Sequence, residues 1–256
     1  MDILSYNRDA WDKQASSGCI WSQPVTSEQV AAARAGDWHI VLTPTKPVPR
    51  DWFPADLRGA DVLCLASGGG QQGPILAAAG ANVTVFDNSP VQLSRDREVA
   101  ERDGLAIRTL QGDMADLSVF ADASFDLIIN PVSICFVPDV IPVWRECARV
   151  LRKGGALLTG IHQPHIYCLD DDQEEGTYRL RFALPFADIK DVEPEERARR
   201  YGVNAPLEFS HTFTDLIGGQ LDAGLVLTAL YEDGNPGDGL DKYFPSFMAT
   251  RAVKPG

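Results

Sequence analysis

The chain has 256 residues, 45% of them hydrophobic and 23% charged, a balance that is typical of a folded domain and excludes a disordered or fibrous protein. Its formal charge of −13 at pH 7 repels phosphate groups, so we expect neither nucleic acid nor a membrane surface as a partner. Five cysteines without any C-x-x-C spacing indicate reduced thiols rather than disulfides or a zinc site. Because neither a signal peptide nor an apolar run of roughly 18 residues is visible, the sequence predicts a cytoplasmic protein.

The first 60 residues differ from the rest of the chain, because they contain the tryptophans Trp11, Trp21, Trp38 and Trp52. Residues 43–54 are rich in proline, which blocks helix interiors, and are predicted to form an extended connector. The tryptophans indicate either an arm that packs on the flank of the main domain or a lid that covers a ligand. We take residues 1–60 as an aromatic, proline-rich arm and lid, in which Trp21 contacts the substrate.

From residue 61 onwards, short apolar runs alternate with helical patterns. Strands are expected at residues 62–66, 83–86, 105–110, 125–130 and 156–161. Helices are expected at residues 73–80, 89–103 and 139–151. Such an alternation is typical of right-handed crossovers in a parallel sheet that is covered by helices on both faces.

Residues 162–210 interrupt this alternation and are predicted to form a cap insertion within a domain that spans residues 61–256. A helix at 213–223, a strand at 225–231 and a last apolar segment at 243–253 follow. The turn-rich residues between the last two segments favour an antiparallel hairpin. The acidic run from Asp170 to Glu175 is expected to be a solvated surface and not a metal site, because metal ligands must converge from fixed positions.

A glycine-rich loop directly follows the first predicted strand. Its pattern, Gly68-x-Gly70-x-x-Gly73, allows a sharp turn and a close approach of a ligand to the amides at a helix N-terminus. Asp87 follows Gly68 by 19 residues, at the end of the second strand, and can accept both hydroxyls of a ribose. The loop and the acid together predict a site for an adenosine-containing ligand, and both a nicotinamide dinucleotide and S-adenosylmethionine meet that description.

Further segments of the chain favour one of these two ligands. The segments are Val62–Gly70, Val85–Ser89, Gln111–Leu117, Ser124–Ile128 and Arg149–Gly155. In this order and spacing, they resemble the motifs of the class I S-adenosylmethionine-dependent methyltransferases, and the resemblance covers residues 61–161. It implies an α/β fold with a doubly wound, mostly parallel, seven-stranded Rossmann-like sheet and an antiparallel C-terminal hairpin. The chain departs from the family pattern at Cys64, where an acid is usual, and at Ala66, where a glycine is usual.

The resemblance also implies where the cofactor S-adenosylmethionine binds. Its methionine part would lie over the glycine turn, its ribose on the acid that ends the second strand, and its adenine between the loops that follow the second and third strands. The reacting centre would lie at the end of the fourth strand. In chain order, these cofactor positions are Ala66, Gly68, Gly70, Asp87, Asn88, Gln92, Asp113, Met114, Asn130, Pro131 and Val132. Gln92 has a second interpretation, as the helix-capping partner of Ser89.

The residues that would handle the methyl acceptor are less clearly marked. His162 and His165 follow the fifth strand and His211 precedes a helix beside the cap, so each is either a candidate catalytic base or a histidine of an ordinary loop. The candidate substrate contacts are Trp21, Ser133 and Tyr167. Methyl transfer can proceed by alignment alone, because the sulfonium is already a strong electrophile, and a base is needed only for a protonated acceptor.

We therefore expect a methyltransferase that acts on a small molecule, mainly by proximity and alignment, with no metal. An NAD-dependent oxidoreductase and a non-catalytic cofactor-binding protein are the alternatives. The glycine pattern favours the oxidoreductase, whereas the segments around Asp113 and Asp126 oppose it.

Overall fold

The computed structural model of the protein describes residues 1–170, 177–235, 237 and 239–256. Its strands are β1 (Asp61–Leu65), β2 (Asn82–Asp87), β3 (Ile107–Gln111), β4 (Phe125–Asn130), β5 (Leu151–His162), β6 (Val226–Asp233) and β7 (Phe247–Val253). They form one sheet in the order β3-β2-β1-β4-β5-β7-β6. The first five strands pair in parallel, and β7 lies antiparallel between β5 and β6. The predicted fold class, including the C-terminal hairpin, is confirmed.

Helices lie on both faces of this sheet. The first two precede all strands in the chain, and the others lie between strands. The helices are α1 (Ile3–Ser16), α2 (Ser27–Arg34), α3 (Gln72–Ala78), α4 (Pro90–Asp103), α5 (Ile141–Val150), α6 (Asp188–Asp191), α7 (Pro194–Tyr201) and α8 (Gly219–Asp222). Ser89 caps the start of α4 as predicted, because its hydroxyl accepts a hydrogen bond from the Gln92 backbone amide over 3.0 Å. Among the helices of the described residues, none combines the length and the apolar composition that a membrane span requires.

Several expected boundaries are wrong, among them the start of the fifth strand, which is Leu151 and not 156, and three others have a clear local reason. The third strand begins at Ile107 and not at 105, because the Leu105 amide still bonds to the Ala100 carbonyl at the end of α4. The last strand begins at Phe247 and not at 243, because residues 239–242 form a 3-10 turn. The helix expected over 213–223 consists of one π-helical turn, Thr214–Gly218, followed by the short α8.

The first 60 residues contain more regular structure than the sequence suggested. α1 and α2 were not expected there, although Thr26 and Gln29 form a complete capping box at the start of α2. The segment 43–54, expected to be extended throughout, is extended only in part, because it contains the 3-10 turn Arg50–Trp52. Within it, Pro47 forms an isolated β-bridge with Val41. Residues of this part, among them Leu42 and Trp52, are buried in the same apolar cluster as β1 and β4. Residues 40–57 therefore form part of the core.

The cap segment 162–210 consists of short elements that stand over the end of β5. It contains the 3-10 turn Pro164–Cys168, α6 and α7. A buried ion pair joins the two helices, with Nε of Arg197 at 2.8 Å from a carboxylate oxygen of Asp188. Of the acidic run expected to be a solvated surface, Asp170 pairs with Arg200 over 2.8 Å, and residues 171–175 lie outside the described residues.

Candidate functional site

A cavity of about 490 Å³ lies at the carboxyl edge of the parallel strands. Its floor is formed by the loops after β1 to β4, and its other walls come from α1, the segments around residues 20 and 42, and the cap. Parallel sheets bind ligands at this edge, because the loops that follow neighbouring strands meet there. Three carboxylates, Asp87, Asp113 and Glu208, line the cavity, whereas the described lining includes no lysine or arginine. The cavity therefore favours a cationic ligand over an anionic one.

The glycine loop forms one end of this cavity. The Gly68 amide donates to a carboxylate oxygen of Asp87 over 2.9 Å, and the Gly69 amide donates to Asp96 over 3.0 Å. Gly68 and Ala66 line the cavity, whereas Gly70 lies behind it, with no room for a side chain against the Arg95 backbone. Ala66 has φ +45°, a left-handed conformation that favours glycine, which accounts physically for the glycine of the family pattern.

Asp87 is suited to bind a diol. Each of its two oxygens accepts one backbone amide, from Gly68 over 2.9 Å and from Ser89 over 2.9 Å. Because a carboxylate oxygen has two lone pairs, each oxygen can accept one further hydrogen bond from a ligand hydroxyl. Burial raises the pKa of Asp87 above its ordinary value, and hydroxyl donors from a ligand would offset that effect.

The other expected adenine contacts lie around the same end of the cavity. Asp113 and Met114 line it, and one oxygen of Asp113 accepts the Ala115 amide over 2.9 Å. Asn88 also lines the cavity, and its amide group donates to the Leu4 carbonyl of α1 over 2.8 Å. Gln92 lines the cavity, and its buried Oε1 has no hydrogen-bond partner among the described residues. Because this oxygen is buried rather than open to the cavity, the expected contact of Gln92 with the adenine stays a prediction.

The end of β4 contributes two of its three expected residues to the cavity. Pro131 and Val132 line it, as does Ser133. Asn130 does not line it, because its side chain is fully buried and donates to the Leu65 carbonyl and to Ser133 while accepting from Thr159. Asn130 thus holds β1, β4 and β5 together under the cavity instead of facing a ligand.

Helix α1 covers the cavity from above. Asn7 exchanges two hydrogen bonds with the Leu207 backbone of the cap, at 3.1 Å and 2.7 Å, and Trp11 packs edge-on against Phe136 at 5.1 Å. Asp12 accepts hydrogen bonds from the first turn of α4. Trp21, expected to contact the substrate, lines the cavity but remains 44% exposed.

The three candidate histidines lie in different environments. His162 lines the cavity at the end of β5. His165 is exposed, outside the cavity lining, with its ring against Phe213 at 5.5 Å. His211 is buried outside the lining, with Nε2 at 3.1 Å from the Ile134 carbonyl. Only His162, among the described histidines, has access to a ligand in this cavity.

His162 belongs to a cluster that the sequence did not reveal. Its Nδ1 lies 2.8 Å from the hydroxyl of Tyr167, which in turn donates to the Glu208 carboxylate over 2.8 Å. Donor atoms of Cys135, His162 and Glu208 lie within 4.8 Å of one another, a spacing that also suits a metal ion. The Tyr167 hydroxyl interacts with all three, so the arrangement is satisfied as a hydrogen-bonded cluster without an ion.

Asp96 is a second residue that sequence reasoning missed. It lies fully buried on α4, where it accepts the Gly69 amide, while its Oδ1 has no hydrogen-bond partner in the part of the chain that the structure describes. Burial raises its pKa to about 7. The sequence contained one sign of this burial. Asp96 lies three residues from both Leu93 and Val99, so it falls on the same buried face of α4 as these two apolar residues. Glu208 left no such signal, because its partners are distant in the sequence.

Comparisons with known proteins show the family of the chain through sequence relatives and its fold through solved structures. Residues 63–159 match the sequence family described as "Methyltransferase domain". The uncharacterized methyltransferase YbaJ of Bacillus subtilis is 47% identical over 253 residues, which cover 98% of each chain. The ubiquinone biosynthesis O-methyltransferase of Xanthomonas oryzae is 32% identical over 134 residues, 49% of this chain and 56% of that protein. The crystal structure of an S-adenosylmethionine-dependent methyltransferase from Mesorhizobium loti has the same fold, with a TM-score of 0.61, 18% identity, and coverage of 80% of this chain and 94% of that one.

Proposed function

Because the chain belongs to the class I S-adenosylmethionine-dependent methyltransferases, we propose that it methylates a small molecule bound beside the cofactor in the cavity under α1. The observation that supports a small acceptor is the cover over the cavity. α1 and the cap are joined by the paired hydrogen bonds between Asn7 and Leu207, and Trp11 packs on Phe136 directly above the end of β4. A small molecule fits under this cover, whereas a folded protein or a nucleic-acid duplex would have to displace it.

The residues of the cavity fit S-adenosylmethionine chemically. Asp87 can accept its ribose hydroxyls, Asp113 its adenine amine, and the carboxylates favour its positive charge. A nicotinamide dinucleotide carries an anionic pyrophosphate, which this lining of carboxylates without a lysine or arginine would repel. The same electrostatic argument supports the expectation that nucleic acid is not a substrate.

Catalysis then depends mainly on position. When bound, the cofactor supplies a methyl group on a cationic sulfur. The loop after β1 and the residues Pro131 and Val132 orient that end of the site, and α1 excludes water above it. His162 is the candidate base that lines the cavity, so we propose it, and not His165 or His211, as the residue that takes a proton from the acceptor.

The lid proposed for residues 1–60 is best assigned to α1. Residues 40–57 are core, so their removal would expose the apolar cluster that they share with β1. Hydrogen bonds from the polar side chains of Asn7 and Asp12 join α1 to the cap and to the start of α4. A cytoplasmic location is part of the proposal and is supported by the five cysteines, which are all free.

A panel of small phenols, thiols and amines tests the proposal. The purified protein, incubated with S-adenosylmethionine that carries an isotope label on its methyl group, should transfer the label to at least one of these molecules, and Asp87→Asn should slow the transfer. Label that appears on protein or RNA from a cell extract, and on none of the small molecules, would contradict the small-molecule acceptor.

A further inference from the structure

We infer that Glu208, Tyr167 and His162 form a proton relay that serves acceptors with a single O–H or S–H group and no anionic group. The inference rests on the proposed function, because it assigns the acceptor class of the same cavity. Its basis is the chain of two hydrogen bonds, each 2.8 Å long, that leads from the cavity wall at His162 to the Glu208 carboxylate.

The single proton of the Tyr167 hydroxyl fixes the direction of this chain. That proton is donated to Glu208, so the phenolic oxygen must accept the hydrogen bond that joins it to His162. Nδ1 of His162 therefore carries a hydrogen, and Nε2 has a free lone pair. No described residue forms a hydrogen bond with Nε2, which leaves this nitrogen available to an acceptor in the cavity.

Packing keeps the chain in place. His162 lies opposite Phe247 in the pairing of β5 with β7, and the two rings are 4.7 Å apart. The ring of Tyr167 stacks on Phe186 at 5.7 Å. Aromatic neighbours on both members limit their rotation, so the two hydrogen bonds persist without help from a ligand.

The relay moves one proton and forms no charged side chain. The acceptor gives its proton to Nε2 of His162 as its oxygen or sulfur forms a bond to the methyl carbon and the bond from that carbon to the cofactor sulfur breaks. Nδ1 of His162 passes its hydrogen to the Tyr167 oxygen, and Tyr167 passes its own to Glu208. The positive charge on sulfur and the negative charge on Glu208 disappear together. When the products leave, the protons move back along the same two hydrogen bonds and Nε2 of His162 releases one proton to water in the cavity, which restores the hydrogen on Nδ1 and the ionised Glu208.

The groups around the relay favour this route over charged intermediates. Burial lowers the pKa of His162 to about 4, which opposes an imidazolium. Burial also raises the pKa values of Tyr167 and Cys135 well above their ordinary values, which opposes a phenolate or thiolate. Burial raises the pKa of Glu208, and the hydrogen bond from Tyr167 and the charge of Arg197 lower it in part. Glu208 is therefore the group of the cluster best able to keep the proton.

The acceptor class follows from the relay and from the lining of the cavity. An acceptor without an acidic hydrogen would gain nothing from a base. A phosphate or carboxylate on the acceptor would lie among Asp87, Asp113 and Glu208, and the described lining offers no lysine or arginine to pair with it. Aromatic side chains, including Trp11 and Phe247, suit an aromatic or apolar body.

Nitrogen-15 NMR of the histidines tests the relay without any acceptor, with Tyr167→Phe as the variant and the exposed Tyr243→Phe as its control. His162 signals, identified by their loss in His162→Gln, should show a neutral ring with its hydrogen on Nδ1 from pH 5.5 to 8. Tyr167→Phe should shift the hydrogen towards Nε2, and Tyr243→Phe should change nothing. A hydrogen on Nε2 in the unaltered protein, or a His162 that is charged at pH 6, would overturn the relay.

Single-turnover rates with two probes test its use in catalysis. With phenol, which is protonated at pH 7, Tyr167→Phe and Glu208→Gln should slow methyl transfer by roughly 10²–10⁴-fold. With 4-nitrothiophenol, which is already ionised at that pH, both variants should lose far less rate than with phenol, because no proton has to be removed from the acceptor. Equal losses with both probes would assign these residues to positioning alone. A protein that binds S-adenosylmethionine and methylates amines but neither probe would contradict the acceptor class, while leaving the small-molecule methyltransferase intact.

Zinc alone provides the last test. In calorimetry with Zn²⁺, the unaltered protein and Cys135→Ser should give the same titration, because the Tyr167 hydroxyl already satisfies the cluster and no ion binds there. Tight binding that requires Cys135 and changes the His162 signals would replace the relay with a metal site.

Discussion

Replacement of Asp96 by asparagine should change how the stability of the protein depends on pH. Burial raises the pKa of this carboxyl to about 7, from an ordinary value of 3.8. The native state therefore keeps a proton between pH 4 and 7 that the unfolded chain has lost, so this group makes the protein less stable as pH rises through that range. At 1.36 kcal/mol for each pKa unit, the loss amounts to about 4 kcal/mol as an upper bound.

Urea unfolding at several pH values measures this effect. Asp96→Asn cannot ionise, and its side-chain oxygen can still accept the Gly69 amide, so the variant should lose less stability than the unaltered protein between pH 4.5 and 8. If the new amide changes the free energy of unfolding by the same amount at every pH, the slope of that free energy against pH is unaffected. Glu101→Gln, at an exposed position of the same helix, serves as the control and should follow the unaltered profile. Parallel profiles for Asp96→Asn and the unaltered protein would refute the argument.

Three further substitutions test separate parts of the structure. Asp87→Asn should weaken binding of S-adenosylmethionine about 10- to 150-fold by calorimetry, because it removes charge-assisted hydrogen bonds of roughly 1.5–3 kcal/mol, and an unchanged affinity would contradict its role. Arg197→Met should cost about 3–5 kcal/mol in urea unfolding, because it leaves Asp188 charged and buried without its partner, and a loss below about 1 kcal/mol would show that the pair is dispensable. Gly160→Ala should destabilise the protein by about 1–3 kcal/mol, because its Cβ would overlap the Leu42 carbonyl, and normal stability would place residue 42 away from β5.

The sheet could be predicted from the sequence because its signals are local. Each parallel strand is an apolar run that ends in a loop with recognisable chemistry, such as the glycines after β1 or the Ser89 cap before α4. The resemblance to the family then implied the doubly wound, mostly parallel sheet and its antiparallel hairpin, whereas the order of the strands comes from the structure. Boundaries were wrong where a turn continues a helix or delays a strand, as at Leu105 and before Phe247, since apolar residues alone do not mark such turns.

A larger share of the residues predicted to bind the cofactor than of those predicted to handle the acceptor lines the cavity. Asp87 and Asp113 follow strands, so their position is fixed by elements that the sequence marks clearly. Asn130 shows the limit of that reasoning, because a residue at the end of a strand can point into the sheet and hold it together. α1 was not predicted because its buried residues, Asn7, Ala10 and Ala15, form no strongly apolar face.

The acceptor end depends on contacts between distant parts of the chain. Glu208 meets Tyr167 across 41 residues, and Asn7 meets Leu207 across 200. No spacing in the sequence predicts such pairs, so Tyr167, which lies outside the described lining of the cavity, was predicted only as a substrate contact, and Glu208 was not predicted at all. Of the two histidines that follow β5, His162 lines the cavity, whereas the ring of His165 packs against Phe213 outside it.

The central claim is that this methyltransferase acts on a small, protonated O–H or S–H acceptor under α1. Mass spectrometry of phenol and thiol probes, after incubation with S-adenosylmethionine that carries a deuterated methyl group, tests it most directly. We expect the labelled methyl group on the oxygen or sulfur of a probe, with formation of one S-adenosylhomocysteine for each methyl transferred. Labelled amines, protein or RNA, with no label on any phenol or thiol, would contradict it.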